Sequence, residues 1–144
     1  MAASQNINLI LEKIYVLESS IGTIDHQKVE SFIKSAINGD TLIDSLVLLA
    51  TYGEKDEDCI LVHILTTGKL TKIRVVKDGF TSSSAYLNQI IGVNKEDIGE
   101  NNAKITVEYP QGRIGLTYPL SDAQVDSFFQ KVDEAVRTQR KPNG

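Results

Sequence analysis

The chain has 144 residues, 41% of them apolar and 24% charged, which is ordinary globular composition with room for a real core. Its net charge of −4 excludes a whole-surface nucleic-acid binder, though not a local basic patch. The single cysteine, Cys59, rules out an intrachain disulfide, and no apolar run reaches the ~18 residues that a membrane span needs. With no basic-then-apolar leader at its start, the expected setting is soluble, reducing and cytoplasmic.

Residues 1–5 are small and polar and are expected to fray. From Asn6 onward, Ile7, Ile10, Leu11, Ile14, Leu17 and Ile21 recur at helical spacing. Leu9, Tyr15 and Val16 add apolar character to another side of the same helix. Either the fold covers both sides or one side meets a second copy, with Ile10 and Ile14 as the candidate self-association residues. A second helix follows, with Asp25 as N-cap and Thr23 as its rival. Val29, Phe32, Ile33, Ala36 and Ile37 form its stripe, and Gly39 suits a left-handed stop. The short link between the two predicts an antiparallel pair.

Residues 40–46 read two ways: a short helix capped by Asp40, or entry into a strand. A strand over 45–52 is favoured, because Gly53 and the charged run Glu54-Lys55-Asp56-Glu57-Asp58 break the chain clearly after it. Residues 59–65 and 70–77 are further strands, turned by Thr67-Gly68-Lys69 and Asp78-Gly79, so the three form an antiparallel meander. Residues 80–85 suit a short edge strand or a loop. Residues 86–93 suit a strand with an irregularity at Gly92, and the polar, acidic stretch 94–102 a surface loop.

The last quarter is the most explicit. Ile105, Val107 and Tyr109 alternate with polar residues, and so do Ile114, Leu116 and Tyr118 after Pro110-Gln111-Gly112. Matching the apolar faces pairs Glu108 with Arg113, Val107 with Ile114 and Ile105 with Leu116. Ser121 and Gln124 then spell a capping box, with Leu120 and Val125 as its staple. Val125, Phe128, Phe129, Val132, Ala135 and Val136 form the stripe of a helix over about 121–137, closed by basic residues and Pro142.

The fold class is therefore α+β: an N-terminal helical pair, a bent antiparallel sheet of about six strands and a C-terminal amphipathic helix. No linker divides the chain, so 1–144 reads as one domain, with residues 1–40 a helical extension packed on the rest. The run Tyr86-Leu-Asn-Gln-Ile-Ile-Gly-Val93, a polar loop, Lys104–Tyr109, Arg113–Tyr118 and the capped helix resemble the second half of bacterial pleckstrin-homology-like domains. The resemblance spans about residues 45–137. It implies a module that binds lipids, peptides or proteins and seldom catalyses. Phosphoinositide-binding members of that superfold carry basic residues between their first two strands. Here that segment, residues 54–58, holds four acids against one lysine, which argues against phosphoinositide recognition.

Lys69, Lys72, Arg74 and Lys77 are the densest positive cluster and the candidate binding residues, suited to an acidic partner or to guarding a sheet edge. No aromatic platform accompanies them, so nucleic acid is not expected. Cys59 and His63 share a strand face but stand roughly 13 Å apart by strand rise, too far for a thiol–base pair, and two ligands short of a zinc site. The acidic groups at 56–58 and 96–100 lack the alternating ligands and glycine of a calcium loop. No catalytic residue, metal or cofactor is indicated. The expected function is a non-catalytic protein-interaction or scaffold module that binds a protein partner or itself. A small acidic dimeric chaperone or adaptor, or an unrecognised small enzyme, are the alternatives.

Overall fold

The computed structural model describes residues 2–52, 57–77 and 79–140. Helix α1 (Ala2–Leu17) runs into a short turn (Glu18–Ser20), and α2 (His26–Ile37) follows. Strands β1 (Leu42–Tyr52), β2 (Glu57–Thr66), β3 (Lys69–Val76) and β4 (Gly79–Tyr86) form an antiparallel sheet in chain order. A turn at Leu87–Gln89 leads to a second antiparallel sheet of β5 (Gly92–Gly99), β6 (Asn102–Tyr109) and β7 (Gly112–Pro119). Helix α3 (Ala123–Arg140) ends the described chain. The fold is α+β.

Two cores lie on opposite faces of the first sheet. Between the sheets and α3 pack Leu61, Leu65, Leu70, Val107, Ile114, Phe128, Phe129 and Val132. On the far face Ile10, Ile14, Val29 and Ile33 of the helical pair cover Ile60, Val62, Ile64, Ile73 and Val75. β2 serves both cores, so it is buried at every position from Cys59 to Thr66. This is why its sequence is almost continuously apolar where β6 and β7 alternate.

The turn joining α1 to α2 is fastened by Glu18. Its carboxylate accepts from the Ile24 backbone N–H at 3.0 Å and bonds the His26 ring at 2.7 Å, while that ring stacks on Tyr15 at 4.0 Å. The Ile24 bond first, then His26, holds the Glu18 carboxyl below its usual range. Asp25 caps α2, accepting from Lys28 N at 3.2 Å. The left-handed exit is taken by Asn38 (φ 36°) and continued by Gly39 (φ 87°).

Several expectations shift. α1 starts at Ala2, ahead of the expected Asn6, and β1 takes in residues 42–44, which excludes the short helix there. Residues 79–86 form a full strand, and 87–89 a helical turn where a strand was expected. The acidic stretch from 94 is not a loop: it is most of β5, paired along β6. The hairpin register is the expected one, with Glu108 opposite Arg113, Val107 opposite Ile114 and Ile105 opposite Leu116. The cap of α3 is Asp122, not Ser121; its Oδ1 accepts from Gln124 N at 3.1 Å and Val125 N at 3.2 Å. Gly53 to Asp56 and Pro142 lie outside the described residues.

Ile10 and Ile14 need a correction. They are 1% and 0% exposed, packed inside the chain's own second core. They do not offer a surface to a second copy, because the outer face of the first sheet already takes them. The outward apolar residues of α1 are Leu9 and Val16, 53% and 77% exposed.

Candidate functional site

Strand alternation divides the four basic residues of β3 and its end. Lys72 and Arg74 share the inner face with Leu70, while Lys69 shares the helix-side face with Thr71 and Ile73. Lys69 lines a groove of about 310 Å³ between α2 and β3–β4, together with Ser31, Phe32, Ser35, Ser82 and Ser84. Lys77 follows β3, with its stem beside Gly22: a Cβ there would meet Lys77 Cγ and Cδ at 3.3 Å.

Lys72 and Arg74 line a recess of about 230 Å³ where the β3–β4 end of one sheet meets the start of β7. Arg113 joins them from β7, and Thr81, Ser82 and Ser83 from β4. The register explains the grouping, since Thr81 pairs with Arg74 and Ser83 with Lys72. Lys72 Nζ donates to the Gly115 carbonyl at 3.0 Å, which ties the first sheet to the second beside the recess. All three charged side chains described in its lining are cations. Sequence reasoning missed Arg113 as a member because it pairs with Glu108 along the hairpin, and nothing local shows that β7 approaches β3.

Behind the recess lies His63, opposite Lys72 in the β2–β3 register. It is 0% exposed, with its ring against Phe128 at 6.1 Å and Phe129 at 5.8 Å. Among the described residues neither ring nitrogen has a hydrogen-bond partner. Burial first, and the Lys72 charge second, push its pKa down to about 3, so the ring is neutral. Cys59 is buried in the same core. Neither side chain reaches a surface where it could attack a substrate.

The other polar cluster ties α3 to the second sheet. Asp126 Oδ1 accepts from Tyr118 Oη at 2.7 Å and Lys95 Nζ at 2.9 Å, with Lys95 5.9 Å from the Tyr118 ring centre. The bond from Lys95, then that from Tyr118, lowers the Asp126 pKa. Burial first, then the Asp126 bond, raises that of Tyr118. A third cavity, about 350 Å³ between α1, β1 and the start of α3, holds Lys13, Asp44, Gln124 and Ser127. Asp44 there pairs with Lys131 at 3.1 Å. Among the described residues no three metal-binding side chains are grouped, and no helix is long and apolar enough to cross a membrane.

No family model matches the chain, and no curated protein matches it. Solved structures share its fold. One is the C-terminal domain of an unknown protein from Leishmania infantum, 18% identical with a TM-score of 0.51, covering 72% of this chain and 96% of that one. Another is a chain from the crystal structure of human RhoA in complex with the DH/PH fragment of PDZRHOGEF. It is 13% identical with a TM-score of 0.50, and the match covers 93% of this chain but only 39% of that one. The second likeness supports a pleckstrin-homology-like fold. At these identities both speak for architecture alone.

Proposed function

We propose that this chain is a non-catalytic protein-interaction module whose recess receives an acidic segment of a protein partner. One observation carries the reading: Lys72, Arg74 and Arg113 meet beside the hydroxyls of β4 in a single recess, on a chain of net charge −4. Concentrating cations on an otherwise acidic molecule favours an oppositely charged partner at that place. Among its described residues the lining offers hydrogen-bond donors and no His, Cys, Asp or Glu, which suits holding a ligand better than converting one. The bacterial type of the pleckstrin-homology-like fold, and a cytoplasmic setting, belong to the same proposal. The first rests on element order and the final capped helix, the second on cysteine usage.

An octaglutamate peptide is a direct probe, followed by backbone amide shifts at low salt. Saturable shifts confined to residues around 72–74, 81–83 and 113–115 are expected, with loss of most of the affinity in the Arg74→Gln/Arg113→Gln double variant. Shifts spread evenly over the surface lysines, and unchanged in that variant, would remove the recess from the reading. Light scattering on the same samples tests the adaptor alternative, which requires a stable dimer.

A further inference from the structure

We propose that the groove between α2 and β3–β4, on the other face of the first sheet from the recess, binds a small free carboxylic acid with an apolar body. The strand register lays out the groove floor as a gradient. Outer-face pairs run from Lys69 with Tyr86, through Thr71 with Ser84 and Ile73 with Ser82, to Val75 with Phe80. Phe80 meets Phe32 of α2 at 5.0 Å between ring centres, so the apolar lining lies toward that end. Lys69 and Ile73 are separated by roughly 13 Å of strand rise, with hydroxyls between them. A ligand that fits this order is charged at one end and apolar at the other. The sheet alone does not build the site, since Ser31, Phe32 and Ser35 come from α2 and form one wall.

The charge count names the acid. Lys69 is the one charged side chain described in the lining, and among the described residues its ammonium has no acidic partner. Its backbone is fixed at the start of β3, where the Thr66 hydroxyl accepts from its N–H at 3.2 Å. One open positive charge matches the single charge of a carboxylate, whereas a phosphoryl group brings roughly −1.5 to −2. The hydroxyls supply the remaining bonds. Those of Ser31, Ser35 and Ser82 have no partner among the described residues. Thr71 and Ser84 bond each other at 3.0 Å, and whichever accepts keeps its own proton to donate. The two carboxylate oxygens can thus accept from the ammonium and a hydroxyl together, while Phe32 and Ile73 bury the body of the acid. The volume of about 310 Å³ lies at the small end of the roughly 300–1,000 Å³ of ligand pockets, which suits a small molecule better than a chain segment.

The test uses the full chain with hydrocinnamate, beside the uncharged hydrocinnamyl alcohol, acetate and the tripeptide Gly-Gly-Phe, each followed by backbone amide shifts. Hydrocinnamate should give saturable shifts around residues 31–36, 69–73 and 82–84. It should bind roughly tenfold or more tighter than the alcohol, the loss expected when a charged hydrogen-bond acceptor is removed. Acetate leaves the apolar end empty and should also bind roughly tenfold or more weakly than hydrocinnamate. Lys69→Met should bring the acid down to the level of the alcohol and leave the alcohol unchanged, whereas a merely structural role would weaken both alike. Ser35→Leu, at an exposed helix position in the lining, should block both. Equal binding of acid and alcohol, or a preference that survives Lys69→Met, would overturn the carboxylate assignment. Tighter binding of the tripeptide at the same residues would overturn the small-molecule assignment in favour of a protein C-terminus. Shifts confined to Lys72, Arg74 and Arg113, or no saturable shift with any probe, would overturn the groove as a site.

Discussion

His63 ties the stability of the fold to pH. Its neutral ring lies wholly in the core against Phe128 and Phe129, with Lys72 as the charge nearest to it in the register. In the folded chain its pKa is about 3, while an unfolded histidine titrates near ~6.5. Below about pH 6.5 the unfolded state therefore binds a proton that the folded state refuses, so the stability falls with pH. The loss from this one group approaches about 1.4 kcal/mol per pH unit, or about 2–3 kcal/mol by pH 4.5. A His63→Leu variant keeps the volume and removes the proton site. Urea unfolding at pH 7 and 4.5 should show that variant losing about 2 kcal/mol less than the native chain on acidification. Equal losses would mean that the ring is protonated in the fold or reached by water.

At the level of elements, the start of α3 shows how a nearby turn overrides a local motif. Ser121 and Gln124 spell a capping box, yet Asp122 N donates to the Pro119 carbonyl at 2.9 Å and Leu120 N to Asn101 at 2.8 Å. The turn leaving β7 thus takes up Ser121, and Asp122 becomes the first residue able to cap. Asp122→Ala should cost about 1 kcal/mol, while Ser121→Ala should stay within ~0.5 kcal/mol, as read from denaturant midpoints. The β6–β7 register was readable because both strands alternate and only one pairing buries both apolar faces. β5 was not, because residues 94–99 are exposed on both faces and carry no period of two. It is a strand because it pairs with β6. The recess was half legible: Lys72 and Arg74 share a face by periodicity, but Arg113 reaches them only through the packing of one sheet against the other. Lys69, grouped with them by proximity in sequence, faces α2.

For the whole molecule, the first sheet is the middle layer and neither of its faces is dispensable. Removing the helical pair would bare Ile60, Val62, Ile64, Ile73 and Val75 together, a far larger apolar patch than a soluble surface carries. The N-terminal helices are thus part of the hydrophobic core and not an appendage, and they hold rigid the strand that presents Lys72 and Arg74. Ile14 tests this, being 0% exposed between the helices and the sheet. Truncating it to alanine should cost about 2–5 kcal/mol. Ile14→Asp adds an unpaired buried charge, and a domain with only about 5–15 kcal/mol in hand should lose its cooperative thermal transition. Val16→Asp, two residues further along α1 on its outward side and 77% exposed, should melt like the native chain. Circular dichroism melts beside light scattering separate this from helix-mediated assembly. If the Ile14→Asp protein kept its melting temperature and merely halved in mass, α1 would be docking on a second copy, and the layer order described above would be wrong.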